Sequence, residues 1–148
     1  MITIEGNLLA IKQGFICHQV GYQGISTSHL AKGLKIIWPR IYNDYITAFR
    51  RGDLKLGEVI FTTVRNNKLY VASLCAQGDE NHIDGRSTDY PAVGCCLRKV
   101  KDWYEIIGLK RLPIYIPHKM GCDRAGGNWK VVKRIIRREM PNAIIVKL

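Results

Sequence analysis

The chain reads as an α/β protein: a three-layer α/β/α sandwich built on a mixed central sheet. Three observations predict this. Short apolar runs with strand character alternate with longer stretches whose apolar residues recur at helical spacing. Two strand-like runs, 59–64 and 69–74, flank Asn66 and Asn67, a hairpin signal that makes the sheet mixed, because asparagine tolerates positive φ. Two other strand-like runs each end in a glycine-rich loop that leads straight into a helix start, the connection expected of β–α units.

The elements follow in order. Residues 2–4 form a first strand that ends at Gly6 and Asn7, and 15–20 form a second. Residues 21–28 are a glycine- and hydroxyl-rich loop. A helix over 29–37 places Leu30, Leu34 and Ile37 on one side, and Trp38-Pro39 breaks it. A further helix spans 41–49, closed by Arg51, Gly52 and Asp53. After the hairpin, the polar stretch 77–88 is expected to be a mobile surface loop. Asp89 and Pro91 mark a helix start. Val93, Leu97, Val100, Tyr104 and Ile107 carry that helix to about Gly108. A proline-bounded strand at 112–116 precedes the second glycine loop. Asn128 then caps a helix over 129–138, and the chain closes in a strand at 143–148, continuously apolar as a central strand would be.

With 148 residues, one domain spanning 1–148 is expected. A chain of this size buries roughly 70% of its unfolded surface, so its core needs no metal or disulfide. No apolar run approaches the ~20 residues that cross a bilayer, so no membrane partner is expected. The start of the chain lacks the pattern of a signal peptide. The five cysteines are odd in number and form no C-x-x-C, which points to reduced thiols in a cytoplasmic protein and to no metal site. Cys122 differs because it lies in the glycine loop, where proximity to a helix start can lower a thiol pKa; a small residue that merely fits the loop is the commoner reading. The net charge of +11 favours anionic partners. Much of it decorates the last helix, at Lys130, Lys133, Arg134, Arg137 and Arg138. A solvated helix face also accounts for each of these lysines and arginines, and no aromatic ladder interleaves them, so a dedicated nucleic-acid groove is not supported.

The candidate chemistry lies in the two loops. Glycines let backbone N–H groups approach a ligand, and a helix start adds partial positive charge. Two such loops facing each other would make a cleft for a phosphate or diphosphate. The same local pattern also suits ordinary tight strand-to-helix turns.

Taken together, several stretches resemble the macro domain family over essentially the whole chain. They are Glu5-Gly6-Asn7-Leu8-Leu9, His18-Gln19-Val20-Gly21-Tyr22-Gln23-Gly24, Leu30-Ala31-Lys32, Thr88-Asp89-Tyr90, and Gly121 to Trp129 with its Gly-Gly-x-Trp ending. The resemblance is strongest to small single-domain members, several of which act on ADP-ribose 1''-phosphate or ADP-ribosyl esters. It implies an ADP-ribose cleft at the carboxyl ends of the strands. Asn7 and Leu8 would meet the adenine. Gln23, Gly24, Ser26, Thr27 and Ser28 would wrap the distal ribose and a phosphate. Gly121, Cys122, Arg124, Ala125 and Gly126 would bind the diphosphate. His18 matches a histidine implicated in phosphatase-like members, although a lone histidine in a strand also suits a core position.

The departures from the family pattern surround the ligand. Asn7 stands where aspartate is usual, Gly21 where an asparagine grips the distal ribose, and Asp123 where a glycine is usual. Asp123 is a candidate general acid or base; Asp79, Asp84 and Asp89 are rival carboxylates that exposed-loop solubility also explains. The leading expectation is a hydrolase that needs no cofactor or metal, removing a phosphate or ester from the distal ribose. The alternatives are a binding module for ADP-ribose or a related nucleotide, and a basic nucleic-acid-binding domain. ADP-ribosylated protein or nucleic acid are further candidate partners.

Overall fold

A computed structural model of the chain describes residues 1–24, 28–79, 85–108 and 111–148. Its elements are β1 (Ile2–Glu5), a 3-10 turn (Leu8–Ala10), β2 (Gly14–Gly21), α1 (His29–Ile37), α2 (Pro39–Arg50), β3 (Val59–Arg65), β4 (Leu69–Gln77), α3 (Tyr90–Ile106), β5 (Ile114–Pro117), α4 (Trp129–Glu139) and β6 (Ile144–Lys147). The order matches that read from the sequence, with the 3-10 turn added.

The six strands form one sheet in the order β1-β6-β5-β2-β4-β3. Every neighbouring pair is parallel except β3 with β4, so the sheet is mixed. The tight turn before β4 uses Asn67 at φ 61, as its sequence suggested. Because five strands run the same way, the loops that follow β1, β2, β4 and β5 all leave from one edge. That edge is where a ligand sits in such sheets.

Side-chain alternation along β2 builds the two helical layers. Phe15 and Cys17 pack into the larger core with α3 and α4, among Val93, Leu97, Val132 and Ile136. Ile16 packs on the other face with Leu34 of α1 and Ile41 of α2. Phe15 is the aromatic centre of the larger core: it stacks on Tyr70 at 4.9 Å and meets Tyr104 edge-on at 5.0 Å. Trp38 closes α1 while Pro39 opens α2, so the two helices turn sharply over one face.

The reading of 77–88 as a loose surface loop fails at its far end. Ser87 and Thr88 are buried. The Gly78 amide donates to Ser87 O at 2.8 Å, and the amides of Ser87 and Thr88 both donate to Ala125 O. Asp84 lies outside the described residues. Among the described residues, no helix is long and apolar enough to cross a membrane.

Candidate ligand cleft

A cleft of about 220 Å³ opens at the carboxyl edge, between the end of β2, the first turn of α1 and the loop after β5. The two loops singled out in the sequence therefore converge: Gly21, Ser28 and His29 line one side, and Gly121, Asp123, Arg124 and Ala125 the other.

The loop after β5 spends some amides on itself and leaves others open. Cys122 N donates to Lys119 O, Gly126 N to Asp123 O at 3.1 Å, and Gly127 N to Gly121 O at 2.9 Å. Among the described residues, nothing accepts from the amides of Asp123, Arg124 or Ala125. Three consecutive amides without an acceptor among the described residues, on residues that line the cleft, are available to an anion. Facing them is the start of α1. Ser28 Oγ accepts from Ala31 N at 3.1 Å, which leaves the first amides of the helix free and its dipole directed at the cleft. Ser28→Ala should cost about 1 kcal/mol of stability, read by urea denaturation. A cost near zero would show that the cap contributes nothing.

Gly121 is fixed by its surroundings. Its φ is +72°, and a Cβ there would lie 2.6 Å from Gln19 Oε1 and 2.9 Å from Thr88 Oγ1. Gln19 Nε2 donates to Thr88 Oγ1 at 2.9 Å, and the Thr88 hydroxyl donates to Gly121 O at 2.6 Å. β2 thus braces the loop from below.

His18, the next residue back, points to the opposite face of the sheet and reaches the floor of the cleft. It is only 4% exposed. Its Nε2 pairs with Ser73 Oγ at 2.8 Å, while Nδ1 has no partner among the described residues. Burial pushes its pKa from 6.5 down to about 4, so the ring is neutral at pH 7. Asp123 is exposed on the rim. The cleft also carries Lys32, Lys119 and Arg124, so cations outnumber that carboxylate in its lining.

Other residues expected at the ligand do not line this cleft. Asn7 caps the 3-10 turn, its Oδ1 accepting from Leu9 N at 3.0 Å. Leu8 is buried with Leu34 and Val146. Gln23 Nε2 donates to Asp79 at 2.7 Å, and Tyr22 donates to the same carboxylate oxygen, so Asp79 ties two loops together. Gly24 packs on the Phe49 ring, which a Cβ would meet at 2.8 Å. Gly126 faces the backbone of Gly85 and Arg86, so its glycine serves loop packing. Cys122 donates to Met120 O, and burial pushes its thiol up to about 11, so of the two readings of this cysteine the small residue that fits the loop is the one favoured. Asp89 caps α3 through Ala92 N. Ser26 and Thr27 lie outside the described residues.

The sequence reading missed several lining residues. Gln19 was hidden by its neighbour His18, and Lys32 by its place one turn inside a helix. Gln77 needs the sheet register, which sets it beside Gly21. The helix start at the cleft is that of α1; Asn128 caps α4 through Lys130 N away from the lining.

No family profile matches the sequence, and no curated protein does either. Solved structures do match. A protein of unknown function from Bacteroides thetaiotaomicron is 27% identical over 99% of this chain and 97% of its own, with a TM-score of 0.86. A macrodomain protein from Streptomyces coelicolor is 21% identical, covers 99% and 97% of the two chains, and has a TM-score of 0.80. The chain has the macrodomain fold. A third match is Thermosipho africanus DarTG, solved in complex with ADP-ribose, at 16% identity and a TM-score of 0.76. This macrodomain fold covers 99% of the present chain and 41% of that one.

Proposed function

We propose that the cleft binds ADP-ribose or a close derivative, with its diphosphate between the first turn of α1 and the amides of Asp123, Arg124 and Ala125. The carrying observation is that pairing of unspent amides; Thermosipho africanus DarTG, 41% of which matches this chain, is solved in complex with ADP-ribose. Backbone dipoles fixed by folding cost no reorganisation when an anion arrives. Lys32 and Arg124 add charge, and Arg124 offsets the carboxylate of Asp123.

On this reading the protein hydrolyses a phosphate or ester at the distal ribose. For a 1''-phosphate, water adds to phosphorus, the bond from phosphorus to the C1'' oxygen breaks, and that oxygen takes a proton. His18 and Asp123 are the residues assigned to position water and move protons. A non-catalytic binding module is the second reading. Gly21 favours it, because a glycine offers no side chain to grip the distal ribose, and so does the low basicity of His18.

Titration calorimetry with ADP-ribose is expected to give micromolar binding that weakens at least tenfold in Arg124→Glu. Incubation with ADP-ribose 1''-phosphate is expected to release inorganic phosphate. Binding without release would leave the module reading in place. No binding of ADP-ribose would overturn both.

A further inference from the structure

The cleft does not absorb the charge on the outer side of α4. That helix buries Val132, Ile135 and Ile136 and carries five basic residues against Glu139. At 3.6 residues per turn, Lys133, Arg137, Lys130 and Arg134 follow one another around an arc of about 100° on the side away from the core. Arg138 is turned the other way, towards α3, where it lies near Gly94 and pairs with Glu139. Among the described residues, none of the four in the arc forms an ion pair.

The arc continues to the carboxyl edge of the sheet. The His118 ring meets Trp129 edge-on at 5.2 Å, and Lys133 lies one turn further along the helix from Trp129. The His118 amide donates to Val146 O at 2.9 Å, which sets Lys147 beside it. Lys119 follows directly, exposed, with φ at +60°. Glu5, in register with Lys147 on β1, borders this corner.

We infer that this strip, Lys147, Lys133, Arg137, Lys130 and Arg134, is a docking surface for the phosphodiester backbone of nucleic acid; Lys119, at its end, belongs to the cleft lining as well. The unpaired cations of α4 form two i,i+4 pairs, Lys130 with Arg134 and Lys133 with Arg137, spread over about 10 Å of helix, which suits several phosphates better than a single anion. With no aromatic ladder among the cations, the contact expected is to phosphates and not to stacked bases, so it is tested on a duplex. The electrostatics agree: burial and the three lysines 147, 119 and 133 all push the His118 pKa down, as expected where cations gather without compensation. This inference does not depend on the ADP-ribose reading.

The test is fluorescence anisotropy with a short random-sequence DNA duplex across a salt series. Lys133→Gln/Arg134→Gln/Arg137→Gln should weaken binding at least tenfold at low salt and flatten the log–log salt slope by about 2–3. The charge-matched control, Lys12→Gln/Arg65→Gln/Lys68→Gln at the opposite edge, should bind nearly as the parent does. In the unaltered protein, NMR amide shifts on adding duplex should concentrate at 129–138 and 147. Equal losses in both variants, shifts elsewhere, or equally tight binding of poly-glutamate would each overturn the inference.

Discussion

A Gly121→Ala variant is expected to lose about 2–4 kcal/mol of stability, with ligand binding falling in parallel. The left-handed backbone at φ +72° costs a residue with a Cβ roughly 1–2 kcal/mol. The new methyl would also lie 2.6 Å from Gln19 Oε1, so the Gln19 side chain has to move. Moving it breaks the bond to Thr88, whose hydroxyl braces the Gly121 carbonyl, and each bond lost costs about 1 kcal/mol. The two contributions separate in a double-mutant cycle. Gln19→Ala should remove the collision with Gln19 but neither the backbone strain nor the 2.9 Å contact with Thr88 Oγ1, so the double variant should be less unstable than the single losses predict together. Urea denaturation of the four proteins reads this directly. A Gly121→Ala protein within 0.5 kcal/mol of the parent would mean that the loop is not held from β2 as described.

That brace also shows what the sequence could and could not reveal. Element order was legible because burial on two faces imposes periodicity: Phe15 and Cys17 alternate with Ile16 along β2, and Leu30 and Leu34 repeat along α1. Turn chemistry was legible at Asn67 and at Pro39, where one residue decides the backbone. The convergence of the two loops was also legible, since parallel strands send their following loops to one edge. What the chain order hides is the pairing between distant loops. Thr88 reaches Gly121 across 33 positions, and Asp79 reaches Tyr22 across 57. Nothing local distinguishes a polar residue that braces another loop from one that faces water. Cys122 shows the same limit, because its thiol is governed by burial and not by the glycines beside it. Register was needed as well: the shift between Val20 and Gly21 skips Ala76 of β4 and sets Gln77 beside Gly21.

Acid should weaken the fold through His18 in a defined window. The buried ring stays neutral down to about pH 4, whereas in the unfolded chain it takes up a proton near pH 6.5. The unfolded state therefore binds more protons between those limits, and stability rises with pH across them. Above pH 6.5 the contribution is complete; as pH falls towards 4 it is lost, by about 3 kcal/mol in all. Other groups titrate in the same range, so the readout is a difference. His18→Gln removes the titration while keeping an amide able to bond Ser73, and its stability curve should be flatter than the parent's between pH 6.5 and 4. Parallel curves would show that the ring is solvated. The same displacement bears on chemistry. A ring with so low a pKa is a neutral group at the floor of the cleft. If it accepts a proton during turnover, the acid limb of the rate profile belongs near pH 4 and vanishes in His18→Gln. A limb near pH 6.5 that survives the substitution would assign proton transfer elsewhere, the ligand's own phosphate being a base that titrates in that range.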